Sequence, residues 1–531
     1  MTDAAAGPTV SCYLDVESWQ PVTQLDGTVK KVGFRDLLTD AHLLTALETL
    51  SPPGQAALLR ITIALLYRVL GLTEATHTVE SWRAVIAGLL AAGAFPQDKI
   101  DAYFARHHER FDLFGVDHPW RQDPRLVAET TGPVGLNTLI ASRPAGNNAT
   151  LFSPFHEGST GVATIQEAVE SLLIVQIYGP LGRCQSRQAV GMPTPSANFT
   201  YVGASRSRVS YFSLGRTVFE TLIANLVNPS DVKIYPLTQP DLPDWERDTL
   251  PNPIGRKPKP TGIVGLLAAD GAHAVLLKPG VAADGEIVVT DAWLTWQYND
   301  KTGGNLIGCD PYFSYRMDKD RIVTQQADAS RVVWRDLPAL LDVPIQQGKQ
   351  NPYQQPFVFS TLRTYVKPLL PYLRVGVFGF VQHGFQAVNE DWYAAITPAV
   401  LEKLDTTDPD QERYRKAIQA WVAAAETESR ILRDHLTKAL VAARQLDPKS
   451  DAAGQWSRRA QPTFWARAST LFDGILGTLE VDAFEKAAED ALATLRMLTL
   501  EIYDQTTDAL RDARGIQAVV RYRPRNLRSA A

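Results

Sequence analysis

The spacing of apolar residues changes character along the chain, and each change predicts a different kind of element. Near the start, short apolar runs at 13–16, 19–22 and 29–34 flank Leu25-Asp26-Gly27-Thr28. An Asp-Gly step between alternating runs supplies the positive φ that a tight turn needs, so a small β-hairpin is predicted. From Phe34 the spacing lengthens to three and four residues. Arg35-Asp36-Leu37-Leu38 opens a helix, a strongly apolar helix covers 55–70 after Pro52-Pro53, and another covers 78–92.

The middle, from about 111 to 393, is rich in Pro, Gly and Asn. Its pattern predicts helices at 164–177 and 217–226 and strands at 274–277, 286–290 and 331–334, joined by loops. Beyond about 410 the chain becomes helical in character. Tyr414, Ile418, Trp421, Val422, Ala425, Leu432, Leu436 and Leu440 form one apolar stripe. Phe464, Ala468, Leu471, Phe472, Ile475 and Leu479 form a second, and Phe484, Ala488, Leu492, Leu495, Leu498 and Ile502 a third. Three stripes punctuated by Pro448, Pro462 and Gly474/Gly477 predict a helical bundle. Its fourth member is expected either from a break in the first long helix or near 398–404. The fold class expected is therefore α+β: a large, loop-rich mixed domain over 1–395, then a C-terminal four-helix bundle over 396–531.

Composition narrows the function more than the fold. The chain has 531 residues, too many for one compact core. Cys12, Cys184 and Cys309 lie far apart and form no CxxC pair, which gives no support to a zinc ribbon or a disulfide framework and suits a reducing cytoplasm. The apolar stretch 85–95 is far shorter than the roughly 20 residues that span a bilayer, so no membrane association is expected. A net charge of −5 argues against a protein that coats nucleic acid by charge alone, and any such contact must be focal.

Catalytic signatures are missing. Gly348-Lys349-Gln350 lacks the hydroxyl that a phosphate-binding loop places on magnesium. His156-Glu157 opens like a zinc-deaminase motif, but no PCxxC follows. His107-His108 falls at an expected helix end, where histidine caps carbonyls more often than it binds metal. No catalytic residue, metal or cofactor is expected. An unrecognised site around His156 and Glu157 is the enzyme alternative.

Several strings, in order along nearly the whole chain, resemble the large subunit (CasA) of the type I-E CRISPR surveillance complex, Cascade. They are Trp19-Gln20-Pro21-Val22 with Phe34-Arg35-Asp36-Leu37-Leu38, then Phe111-Asp112-Leu113-Phe114 with His118-Pro119-Trp120 and Gln122. Gly146-Asn147-Asn148-Ala149-Thr150-Leu151-Phe152, Val333-Trp334-Arg335-Asp336-Leu337 and the bundle follow. The resemblance implies a non-catalytic, cytoplasmic subunit that inspects duplex DNA for a short adjacent motif. It also implies help in opening the duplex for guide RNA and a docking surface for a helicase–nuclease. The implied partners are the backbone and small Cascade subunits, CRISPR guide RNA, double-stranded target DNA and that nuclease. In such systems the protein reads a short motif and base pairing reads the sequence.

The resemblance also assigns residues. Gly146, Asn147, Asn148, Thr150 and Phe152 match the DNA-facing loop, where Gly permits tight backbone, Asn offers amides and an aromatic can wedge. Read without the family, the same string is an Asn-rich surface turn with Phe152 plugging the core. Lys301, nine residues before Asp310-Pro311, has the spacing of a lysine that enters the minor groove, or is a solvated lysine in a Gly-rich turn. Gln382 and His383 stand where the family places an Asn, and either supplies a donor. Gly179 and Gly182 lie near the family's glycine-rich wedge in a poorer glycine run. The tail, Arg521, Arg523, Arg525 and Arg528, is expected to be flexible. A diverged scaffold that keeps the assembly contacts without DNA readout is the remaining alternative.

Overall fold

The computed structural model describes residues 10–74, 76–145, 153–156, 161–179, 184–197, 203–232, 240–268, 271, 273–299, 308–328, 331–341, 353–382, 391–404, 408–447, 451–478 and 480–525. The chain forms two compact units. The first comprises 1–329 and 356–394, and the second 330–355 and 395–531.

In the first unit the expected hairpin forms from β1 (Gln20–Gln24) and β2 (Val29–Val32), antiparallel with Gln20 opposite Val32. Gly27 takes φ 84° at the turn, a conformation that costs glycine nothing. A third strand, β3 (Leu44–Leu47), pairs on the other side of β1. Helix α1 (Phe34–Thr39) buries Phe34, Leu37 and Leu38.

Helix α2 (Pro52–Leu70) is the axis of this unit. The Ser51 hydroxyl accepts from Gly54 N, two prolines occupy the first turn where no N–H is needed, and Gly71 at φ 71° closes the C-terminus. Nearly every side chain of α2 is buried, as an all-round apolar helix requires. It packs against helix α5 (Ile165–Tyr178) and strand β9 (Arg374–Val381). Between them in sequence lie α3 (Val79–Ala92) and α4 (Gln97–His107) before α5, then β4 (Val209–Leu214) and α6 (Val218–Ala224). The ribbon of β5 (His273–Val281) with β6 (Ile287–Trp296) and that of β7 (Tyr315–Asp318) with β8 (Arg321–Thr324) follow. Strand β9 lies between β4 and β10 (Asp391–Ala399), with Val209 opposite Gly379. No helix among the described residues is long and apolar enough to cross a membrane.

The second unit is helical: α7 (Pro409–Arg444), α8 (Asp451–Arg458), α9 (Gln461–Leu476), α10 (Val481–Thr507) and α11 (Ala513–Tyr522). Three expectations need correction here. The long helix α7 is unbroken and Leu401–Leu404 is a single 3₁₀ turn, so the additional members come from α8 and α11 instead. Residues 331–334 make no strand: Val333–Arg335 is a 3₁₀ turn belonging to this unit, not to the first. The reason is Trp334, whose ring lies 4.4 Å from Trp421, 5.6 Å from Trp465 and 5.1 Å from Phe472, an aromatic cluster that local strand propensity cannot outweigh. The described part of the basic tail, Arg521 to Arg525, is held against the bundle. Arg523 pairs with Asp504 at 2.5 Å, the His435 imidazole meets Tyr522 O at 2.7 Å, and the Arg496 guanidinium donates to Arg525 O.

Candidate nucleic-acid interface

Three chain segments of the first unit converge at the C-terminal end of α5. The turn that precedes β4 runs beside that end, Gly203 N donating to Gly179 O and Ser205 N to Ile177 O, both at 2.9 Å. The approach leaves no room for side chains. A Cβ on Gly203 would lie 2.3 Å from Ile177 O, and one on Gly179 would lie 2.3 Å from His273 Nδ1. Glycine is required at both positions by contact, although Gly179 itself has an ordinary negative φ of −39°.

Gln382, the residue after β9, fastens the third segment. Its Nε2 donates to Tyr178 O at 3.1 Å, and its Oε1 accepts from Ser207 N at 3.2 Å. Its carbonyl accepts from the Ser207 hydroxyl at 2.8 Å. Ser207 holds φ 53°, a left-handed conformation unusual for serine, and its carbonyl is taken by Ala327 N at 2.9 Å. His273 seals the cluster from the side of β5. Burial pushes its imidazole down to about 4, with Lys257 adding to the shift, so the ring is neutral near pH 7. Its Nδ1 is buried without a hydrogen-bond partner.

A second fixture lies at the turn that follows 301–307. Arg60, mid-way along α2, donates from Nη2 to Asp310 Oδ2 at 2.6 Å, with both side chains almost fully buried. The other Asp310 oxygen accepts from Tyr312 N at 3.0 Å, and the Tyr315 hydroxyl bridges the Asp310 backbone. The turn is thereby tied to the central helix.

These fixtures decide how the expected residues are placed. Gly179 and Gln382 come together, one residue from a shared hydrogen bond at Tyr178. Gln382 is 7% exposed and both ends of its amide are engaged by protein. Gly146, Asn147, Asn148, Thr150, Phe152, Gly182, Lys301 and His383 lie outside the described residues, as does Glu157. Among the described residues no group of three His, Cys, Asp or Glu could hold a metal ion. His108 Nδ1 bonds Asp15 at 2.7 Å with its ring stacked on Tyr13, a structural use.

Sequence reasoning missed Ser207, Gly203, Arg60 and Asp310. Only Arg60 left a signal: an arginine inside an all-round apolar helix demands a buried partner, although nothing in the sequence names it.

A family model described as CRISPR-associated protein Cse1 matches residues 14–502. The CRISPR-associated protein CasA/Cse1 of Thermus thermophilus is 30% identical over 342 residues, a stretch covering 63% of this chain and 60% of that protein. A chain of a solved CRISPR RNA-guided surveillance complex shares 31% identity at a TM-score of 0.79, over 97% of this chain and 99% of that one. The crystal structure of Thermobifida fusca Cse1, at 19% identity, shares the fold with a TM-score of 0.74 over 97% of each chain. A match that runs through nearly all of the first unit and most of the bundle leaves one conclusion: the chain belongs to the Cse1 family of CRISPR-associated proteins.

Proposed function

We propose that this chain is the non-catalytic large subunit of an RNA-guided CRISPR surveillance complex, working in the cytoplasm. In this reading it recognises a short motif beside the target in duplex DNA, helps open the duplex for guide RNA pairing, and docks a helicase–nuclease. The other Cascade subunits and the CRISPR RNA are its standing partners. The observation that carries the reading is the end-to-end likeness to a chain of a surveillance complex, at a TM-score of 0.79 and 31% identity. The net charge of −5 fits a subunit whose DNA contact is confined to loops while neighbours hold the nucleic acid.

Within this reading the loop residues keep their roles, with one change. Phe152, supported by Gly146, Asn147, Asn148 and Thr150, faces DNA; Lys301 enters the minor groove; Gly179 and Gly182 flank the wedge. Because the Gln382 amide is occupied, readout after β9 passes to His383 or to the amides that follow it in sequence, Gln386 and Asn389.

Purification of the chain from cells expressing the whole system tests the assembly: guide RNA and further subunits should accompany it, and their absence would sink the proposal. In gel shifts of the assembly, Phe152→Ala and Lys301→Ala should each weaken binding to target duplex by about tenfold, the scale of one lost stacking or groove contact. No loss from either substitution would favour a diverged scaffold. Metal-dependent turnover abolished by His156→Ala would favour an enzyme.

A further inference from the structure

We propose that Gln382 is a positioning residue: a clasp that fixes the end of α5, the entry to β4 and the end of β9 against one another, and with them the motif discrimination of the assembly. The inference rests on the function proposed above and assigns Gln382 a part in it other than contact with DNA.

The geometry is that of a clasp. One side chain reaches two segments distant in sequence, donating to Tyr178 O at the end of α5 and accepting from Ser207 N at the entry to β4, while its own carbonyl takes the Ser207 hydroxyl. Each attachment lies at the end of an element next, in sequence, to another stretch of the chain: 180–183 follows Gly179, 198–202 precedes Gly203, and 383–390 follows Gln382 itself. An apolar side chain of similar length would fill the space but would not choose a register. A buried amide bonded at both ends does, because any other arrangement strands a donor or an acceptor away from water. Ser207 carries the corresponding strain. A serine at φ 53° is disfavoured, and it is held there by bonds from its N–H, its hydroxyl and its carbonyl. The close packing of Gly203 on Gly179 then passes the fixed position from one segment to the next.

The test uses the full chain in its assembly with guide RNA and two target duplexes, one with the adjacent motif selected from a randomised library and one with that motif scrambled. Gln382→Met keeps the length and removes both bonds. Gln382→Glu keeps the acceptor and loses the donor. Ser207→Gly tolerates the positive φ but lacks the hydroxyl. The readouts are the ratio of the two affinities and hydrogen exchange at the Gly203, Ser205 and Ser207 amides. Gln382→Met should lower the ratio about tenfold, equivalent to one buried polar pairing, and speed exchange at Ser207. Gln382→Glu should fall with it. Ser207→Gly should show a smaller drop that does not add to that of Gln382→Met, because both act on one clasp. An unchanged ratio in Gln382→Met overturns the proposal, and so does an equal fall in both affinities, which would mean general destabilisation. Should Gln382→Met fail to assemble, Ser207→Gly decides by the same ratio. If the parent assembly does not discriminate, the functional reading fails on its own, and unchanged exchange at Ser207 in Gln382→Met still overturns the clasp.

Discussion

Arg60 and Asp310 meet at 2.6 Å in surroundings that admit almost no water. Arg60 also lies over the Tyr312 and Phe313 rings, 5.9 and 5.8 Å from their centroids, yet its Nε and Nη1 have no partner. Such a pair contributes little over a well-packed apolar substitute, but removing one half strands the other charge. Asp310→Ala should therefore cost about 3–5 kcal/mol in a chemical-denaturation midpoint, and Arg60→Met combined with Asp310→Leu should recover much of that loss. Glu170 makes a different residue-scale prediction. It is buried at the entry to α2, accepting from Leu50 N at 3.0 Å and Gln166 Nε2 at 3.0 Å, and burial raises its carboxyl from 4.5 to about 7. A raised folded pKa means the native state binds the extra proton, so its stabilisation is present below 4.5 and lost as pH rises to about 7. Glu170→Gln has no proton to lose. Its stability relative to the parent should rise between pH 4.5 and 7, as urea melts at the two pH values would show, and a flat difference would refute the assignment.

Elements with a strong local signature follow their sequence closely. The hairpin at Gly27, the helix entries at Ser51 and Thr78 and the exits at Gly71 and Gly93 rest on turn and cap chemistry carried by neighbouring residues. The 3₁₀ turn at Val333–Arg335 is the opposite case. Its β-branched run reads as a strand, but Trp334 finds Trp421, Trp465 and Phe472, while Arg335 reaches Glu426 at 2.7 Å. Trp334→Ala should cost about 3–5 kcal/mol, registered as lost near-UV dichroism and a lower denaturation midpoint, since the cavity sits among rings that cannot close over it. A near-neutral result would mean that the turn is held by Arg335 instead.

For the whole molecule, the amphipathic periods, the absence of known catalytic signatures and the ordered family-like strings were legible without coordinates. They gave an α+β body, a helical bundle and the Cse1 family. What they could not give is any contact between residues far apart in the chain. The pairing of Gln382 with Ser207 spans 175 residues and that of Arg60 with Asp310 spans 250, and no local pattern encodes a partner at such separations. The membership of 330–355 in the second unit and the origin of the bundle's last helix belong to the same class. Local periodicity is enforced by the backbone's own geometry within a few residues, so the sequence alone determines it. Which buried polar groups satisfy one another depends on the packed arrangement that brings them together, and only the tertiary structure shows the Gln382 amide taken up by Tyr178 and Ser207.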